Sequence, residues 1–161
     1  MTKSVNPAAA IMEMSYEEVS TAFNKSITTI LLELIKSTTD NNVRELLKTL
    51  HRRMFLTIDA QGIDFFIKTS ASRIYNHYNL ITEANTSAKR DNAIANFNIQ
   101  NEYNTIDVGS HTSEDEQLLT LVTTLQNCYP EFGDDVKTKI FKNLQELLKL
   151  SMLYIVNKGK K

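Results

Sequence analysis

Apolar residues recur every three or four positions along several stretches of the chain, and polar residues fill the positions between them. This spacing places the apolar side chains on one face of an α-helix, so each stretch is predicted to form an amphipathic helix. The first helix is predicted to begin at Ser15, because Ser15 and Glu18 form a capping box that satisfies free N–H groups at a helix start. Its apolar stripe consists of Tyr16, Val19, Phe23, Ile27, Ile30 and Leu34.

A second helix is predicted from about Asn42 to Gln61, after a polar break in which Thr39 or Asp40 is the N-cap. Gly62 marks its stop or a kink. Its core stripe consists of Val43, Leu46, Leu47, Leu50, Met54 and Ile58. A third periodic segment follows with Ile63, Phe66, Ile67, Ile74, Tyr78 and Ile81. Two carboxylates lie at this junction, and we interpret Asp59 as facing solvent and Asp64 as the cap of the third segment.

Residues 88–103 carry the weakest helix pattern in the chain. Asparagines concentrated between residues 92 and 101 lower the helix propensity. Residues 94–99 fit a helix and a strand about equally, and we favour the helix because a single strand would have no partner. Residues 104–113 are predicted to form a loop.

The last third of the chain predicts two further helices. Ser113 and Glu116 form a second capping box, and the apolar positions that follow are Leu118, Leu121, Val122 and Leu125. A turn at residues 129–133 precedes the final helix, which Asp134 or Asp135 is expected to cap. This helix is predicted to be a main element of the core, through Val136, Ile140, Phe141, Leu144, Leu147, Leu148, Ser151 and Ile155.

The composition supports an all-α fold. The 161 residues fit one domain, and the chain contains only four glycines and two prolines, too few for the frequent turns of a sheet-rich protein. We therefore predict a single-domain bundle of five or six helices over residues 15–157, with connections of ordinary length. Residues 1–14 are expected to form a polar N-terminal arm, and residues 158–161 a basic tail.

Few sequence features point to chemistry. The 18 Lys and Arg residues nearly balance the 19 Asp and Glu residues, so no global field favours nucleic acid or anionic membranes. Cys128 is the only cysteine, and none of His51, His77 and His111 has a second His or Cys three or four residues away. Phosphate-binding, zinc-protease, hydrolase and EF-hand motifs are also missing. We expect no catalysis, no cofactor, no metal and no small-molecule substrate, in an intracellular protein without a signal peptide.

The stretch LHRRMF at residues 50–55 is the leading candidate for a binding site. At about 100° per residue, the helix turns Arg53 away from the other basic residues. The same helical geometry places Phe55 among four basic residues: Arg44, Lys48, His51 and Arg52. If Phe55 belongs to the core, the basic residues are only a solvated rim. An exposed Phe55 would instead anchor a protein partner, or stack on a base while the cations bind phosphates.

Two other stretches have alternative interpretations. Tyr75 and Tyr78 could belong to a protein interface, because tyrosine combines an apolar ring with a hydrogen-bonding tip, or form a half-buried helix edge. Residues 144–156 and the lysines after them could lie on a membrane surface. The segment is too short to span a bilayer and contains Gln145, Glu146 and Lys149, so a core helix is favoured.

The expected function is structural rather than enzymatic. A small helical subunit that acts through contacts with other protein subunits, with copies of itself among the candidates, fits the missing motifs and the polar arms. The abundance of Asn, Thr, Ile and Lys is typical of an AT-rich genome and suits a component of a virion or another assembly. Nucleic-acid binding around Phe55 and peripheral membrane association of the C-terminal helix are the alternatives.

Overall fold

The fold is all-α, and a computed structural model describes it over residues 15–97 and 113–158. In this part the chain forms seven α-helices and no strand, so the predicted fold class is confirmed with more helices than expected. The helices are α1 (Tyr16–Ser37), α2 (Asn41–Gln61), α3 (Phe65–Tyr75), α4 (Tyr78–Glu83), α5 (Ser87–Asn96), α6 (Ser113–Cys128) and α7 (Asp134–Lys158). A short 3₁₀ turn, Tyr129–Glu131, links α6 to α7.

The C-terminal helix α7 lies at the centre of the bundle and makes its most extensive contacts with α1 and α3. This confirms its predicted role in the core. Ile155 is an exception, because it faces outward while Tyr154 next to it is buried, with its ring 5.7 Å from that of Tyr16. The buried side chains of α7 are Ile140, Phe141, Leu147, Leu148, Leu150, Ser151 and Tyr154.

Helix α1 begins as the sequence predicts. The Glu18 amide donates a hydrogen bond to the Ser15 hydroxyl at 3.1 Å, and the Ser15 amide donates one to the Glu18 carboxylate at 3.4 Å. The apolar stripe of this helix faces α7, with Tyr16 and Ile27 half-buried at its edge. The fully buried members of the stripe are Val19, Phe23, Ile30 and Leu34.

The corner between α2 and α3 is tied to α1 by two long-range hydrogen bonds. Gly62 ends α2 with a φ of 105°, a conformation that favours glycine, which confirms the predicted stop. Asp64 holds the N-cap position of α3, but its side chain does not cap the helix; instead its Oδ2 accepts a hydrogen bond from the Tyr16 hydroxyl at 2.8 Å. The Asn24 amide donates to the Ile63 carbonyl, also at 2.8 Å.

The middle of the chain departs most from the predicted pattern. The third periodic segment divides into α3 and α4 at Asn76 and His77, two residues of modest helix propensity that form a turn. Helix α5 ends at Asn96 and Phe97 is extended, so residues 94–96 are helical as favoured. The described residues do not include the N-terminal arm, residues 98–103, the predicted loop up to residue 112, or residues 159–161 of the tail.

Candidate protein-binding surface

Helix α2 presents one face to the bundle and the opposite face to solvent. Asp40 caps its N-terminus, because its carboxylate accepts hydrogen bonds from the Asn42 and Val43 amides at 2.9 and 3.2 Å. The inner face packs toward α1, α3 and α6, and its buried side chains are Leu47, Leu50, Met54 and Thr57. Leu46, predicted to be core, is 41% exposed because it lies beyond the edge of this stripe.

Phe55 lies on the outer face of α2 and keeps 49% of its surface exposed, although its sequence position allowed a place in the core. Leu56 beside it is 66% exposed. The His51 ring meets the Phe55 ring edge-on, with centroids 5.0 Å apart. The two apolar side chains are therefore held at the surface of a regular helix, and the histidine supports the base of the aromatic ring.

Charged residues frame Phe55 along the same face. Five exposed residues follow one another along this face at alternating steps of three and four positions: Glu45, Lys48, Arg52, Phe55 and Asp59. This spacing forms a second stripe, opposite the core stripe, in which one aromatic side chain lies among two acidic and two basic residues. The residues of this stripe together with Leu56 are called the Phe55 surface below. The sequence analysis missed three of its members: Glu45, Leu56 and Asp59.

Arg44 does not belong to the Phe55 surface, because it closes the end of α1. Its Nε donates to the Ile35 carbonyl at 3.2 Å, one terminal nitrogen donates to the Thr38 carbonyl at 2.6 Å, and the other to Asn41 Oδ1 at 2.9 Å. The last carbonyls of a helix lack partners within that helix, so these bonds stabilise the turn between α1 and α2. The guanidinium group of Arg44 is therefore engaged within the fold.

The other basic residues make only weak contacts. Lys48 lies 3.5 Å from Glu45 in an exposed ion pair, of a kind that contributes at most about 1 kcal/mol. Arg52 donates a long hydrogen bond of 3.4 Å to the Thr49 hydroxyl. Both side chains remain available for a partner that offers carboxylates or an aromatic ring.

Tyr75 and Tyr78 form a separate pair at the junction of α3 and α4. Their ring centroids lie 6.1 Å apart, and their surfaces are exposed. Their ring contact is with each other, whereas the ring of Phe55 contacts that of His51. The proposal below does not use the two tyrosines.

Three other features bear on chemistry. Within residues 15–97 and 113–158, no group of three or more His, Cys, Asp or Glu side chains is placed to hold a metal ion. None of the helices in these ranges is long and apolar enough to cross a membrane. Burial raises the pKa of the Cys128 thiol, which keeps it protonated and weakly nucleophilic at neutral pH.

The comparisons with known proteins give no match: no family model, no curated protein and no solved structure is significantly similar to this chain.

Proposed function

We propose that this chain is a non-enzymatic scaffolding subunit that acts through protein–protein contacts, and that the Phe55 surface binds a second copy of the chain. The observation that carries this proposal is the exposure of Phe55 and Leu56, two consecutive residues of a capped helix. Single exposed apolar residues are ordinary on proteins. An exposed phenylalanine close to an arginine instead combines two residue types that are enriched at protein interfaces.

The order of charges along the Phe55 surface favours a second copy. When two α2 helices pair in antiparallel fashion about a two-fold axis midway between Arg52 and Phe55, Lys48 lies opposite the partner's Asp59 and Arg52 lies opposite the partner's Phe55. The symmetry repeats each contact, so the pairing contains two ion pairs and two cation–π contacts. One helix thus supplies both halves of a self-complementary surface.

The same charges argue against nucleic acid as the partner. Glu45 and Asp59 lie on the face that would meet phosphates, and their carboxylates would repel them. Arg44, which the sequence analysis counted among the phosphate contacts, is engaged by the end of α1. These observations favour a partner surface of mixed charge over a polyanion.

Sedimentation equilibrium over a range of protein concentrations tests the proposal. The wild-type chain is expected to approach twice its monomer mass as the concentration rises. Phe55→Ala with Leu56→Ala removes the apolar centre in both copies and should weaken association at least tenfold, since each lost anchor contributes more than about 1 kcal/mol. Circular dichroism confirms that the variant still folds.

A matched control separates this surface from the rest of the molecule. Lys142 is exposed on α7, and Lys142→Ala is expected to leave the association constant within about twofold of wild type. A wild-type chain that remains monomeric at every concentration would contradict self-association.

Titration with DNA and RNA at several salt concentrations tests the alternative function. Tight, steeply salt-dependent binding that is lost in Arg52→Glu would favour nucleic-acid binding.

The setting of such an assembly is also a proposal. A place in a virion or another assembly is supported only by the sequence bias toward Asn, Ile, Thr and Lys. Cross-linking with mass spectrometry in the native source tests it, because cross-links between Lys48 and its neighbours would show which proteins meet this face.

A further inference from the structure

Helix α5 is held to the bundle by few buried side chains. Of its ten residues only Ala93 and Ile94 are buried, and α4, which precedes it, buries none. Helices α1 and α7 each bury several large apolar side chains. Because burial of apolar surface is the main force that attaches a helix to a bundle, α5 is attached less strongly than α1 or α7.

The sequence of α5 does little to keep it helical by itself. Thr86 caps its start, since the Thr86 hydroxyl accepts a hydrogen bond from the Lys89 amide at 3.2 Å. Asp91, Asn92 and Asn96 all lower the helix propensity. An isolated helix shorter than roughly 12–15 residues is only marginally stable in water. Once detached from the bundle, α5 is therefore expected to unfold.

Charged residues fasten the middle of α5 to α7. The Nζ atom of Lys137 lies 3.3 Å from Oδ1 of Asp91, and the Lys137 side chain is only 15% exposed. The guanidinium carbon of Arg90 lies 5.6 Å from the centroid of the Phe141 ring. Water screens a partly buried ion pair less than one at the surface, so the pair between Asp91 and Lys137 contributes to holding α5 in place.

The end of α5 lies over an apolar cavity of about 250 Å³ that is partly open to solvent. Ala93, Ile94 and Phe97 form one part of its wall, and α1, α3, α4, α6 and α7 supply the rest. The side-chain amide of Gln126 in α6 donates hydrogen bonds to the Ile94 and Phe97 carbonyls at 2.9 and 2.5 Å. These bonds fix the end of α5 at the wall of the cavity.

We propose that α5 is a flap that opens by local unfolding while α1 and α7 stay folded, and that the ion pair between Asp91 and Lys137 holds it closed. Opening removes one wall of the cavity and exposes the Phe141 ring to solvent. None of these residues belongs to the Phe55 surface, so this proposal and the proposed function can fail independently.

Hydrogen exchange of the full-length chain, followed by NMR or mass spectrometry, tests the flap. The amides of residues 90–96 are expected to exchange as one group, with protection at least about 100-fold below that of residues 140–151 at the centre of α7. Equal protection in α5 and α7 would show that the two helices unfold only together, and would overturn the proposal.

Leu150→Ala separates local opening from global unfolding. The substitution destabilises α7 and should raise exchange at the centre of α7 at least about tenfold. Exchange in α5 should stay within about twofold of wild type, because Leu150 remains buried when only α5 opens. An equal rise in both helices would contradict a separate flap.

Two lysine variants test the ion pair. Lys137→Gln should raise exchange in α5 about threefold, since one of its two partners is partly exposed. Lys139→Gln is the matched control, because Lys139 pairs with Glu33 of α1 at 2.8 Å, and it should leave exchange in α5 within about 1.5-fold of wild type. Tryptic cleavage after Lys89 and Arg90, which requires α5 to unfold, should follow the same order. Equal effects of the two variants on α5 would overturn the assigned role of Lys137.

Discussion

Helices α2 and α7 have similar amphipathic sequences and opposite roles in the structure. Both are long, and both carry apolar residues outside their main stripe. In α7 two residues that the predicted stripe omits, Leu150 and Tyr154, are buried, since the helix contacts neighbours on more than one side, whereas Val156 near its end is exposed. In α2, Phe55 and Leu56 remain at the surface. The position of a helix in the bundle therefore decides whether its off-stripe apolar residues are buried or exposed, and the sequence pattern alone does not.

The apolar residues of the two helices should differ in their contribution to the free energy of unfolding. Apolar residues of α7 should stabilise the folded state, because folding removes them from water. Phe55 and Leu56 should contribute little to folding and much to association, because only a partner removes them from water. The variants below test this division from the largest effect on the free energy of unfolding to the smallest.

The largest effect is expected from Leu150→Ala in α7. Leu150 is fully buried, so the substitution loses transfer free energy and leaves a cavity, which together cost about 3 kcal/mol. Urea unfolding followed by circular dichroism measures the loss. Leu56→Ala is the matched control, and a cost above about 1 kcal/mol in the control would place Leu56 in the core after all.

Arg44→Gln is expected to have the next largest effect. The variant loses hydrogen bonds from a charged donor to the Ile35 and Thr38 carbonyls, at a cost of about 2 kcal/mol. Arg52→Gln should change the free energy of unfolding by less than about 0.5 kcal/mol, because Arg52 is exposed. Equal costs for the two variants would refute the assignment of Arg44 to the end of α1.

Tyr16→Phe should cost about 1 kcal/mol at neutral pH, because it removes the hydrogen bond to Asp64. Burial raises the pKa of Tyr16 well above its ordinary value, and the hydrogen bond to Asp64 raises it further. The folded chain thus keeps this proton when the unfolded chain loses it, near pH 10. The contribution of Tyr16 is complete below about pH 10 and falls as the pH rises beyond it.

Urea unfolding at pH 7 and pH 11 measures this dependence. Tyr16→Phe should lose less stability between the two pH values than the wild type does. Some alkaline loss should remain in the variant, because burial also raises the pKa of Tyr129. Tyr75→Phe, at an exposed tyrosine, is the control. An unchanged alkaline loss in Tyr16→Phe would show that another group causes it.

The smallest effect on folding is expected from Phe55→Ser with Leu56→Ser. Both side chains are exposed in the isolated chain, so the free energy of unfolding of the monomer should change by less than about 1 kcal/mol. Unfolding at low protein concentration, where the monomer prevails, is the required measurement. A loss as large as that of Leu150→Ala would mean that these residues support the fold and not a contact.

The sequence predicts the helices where a single stripe meets a clear cap. Ser15, Asp40 and Gly62 act at the helix ends as expected, because capping depends on residues only a few positions apart. The predicted cap was wrong at Asp64, because its carboxylate accepts a hydrogen bond from the hydroxyl of Tyr16, 48 residues away in the chain. Local pattern carries no information about a partner so distant in the chain.

Periodicity within α2 predicted which residues share one side of this helix, but not which other helices they contact. Helical geometry alone grouped Lys48, Arg52 and Phe55 on one side of α2, and the structure keeps them together. The role of Arg44 depends on the carbonyls at the end of α1, and the exposure of Phe55 depends on which helices cover α2; neither follows from periodicity. An apolar cavity lined by residues of α1, α3, α4, α5, α6 and α7 was not predicted, because no single helix pattern contains its wall.

The central claim is that two copies of α2 pair through the Phe55 surface, and a charge exchange tests it most directly. Lys48→Asp and Asp59→Lys each place like charges opposite each other twice in the symmetric pair. Each should weaken dimerisation about tenfold by sedimentation equilibrium, and the double variant should restore it to within about threefold of wild type, since the pairs are re-formed with reversed sign. A monomeric wild-type chain, or a double variant no tighter than the weaker single one, would contradict the account.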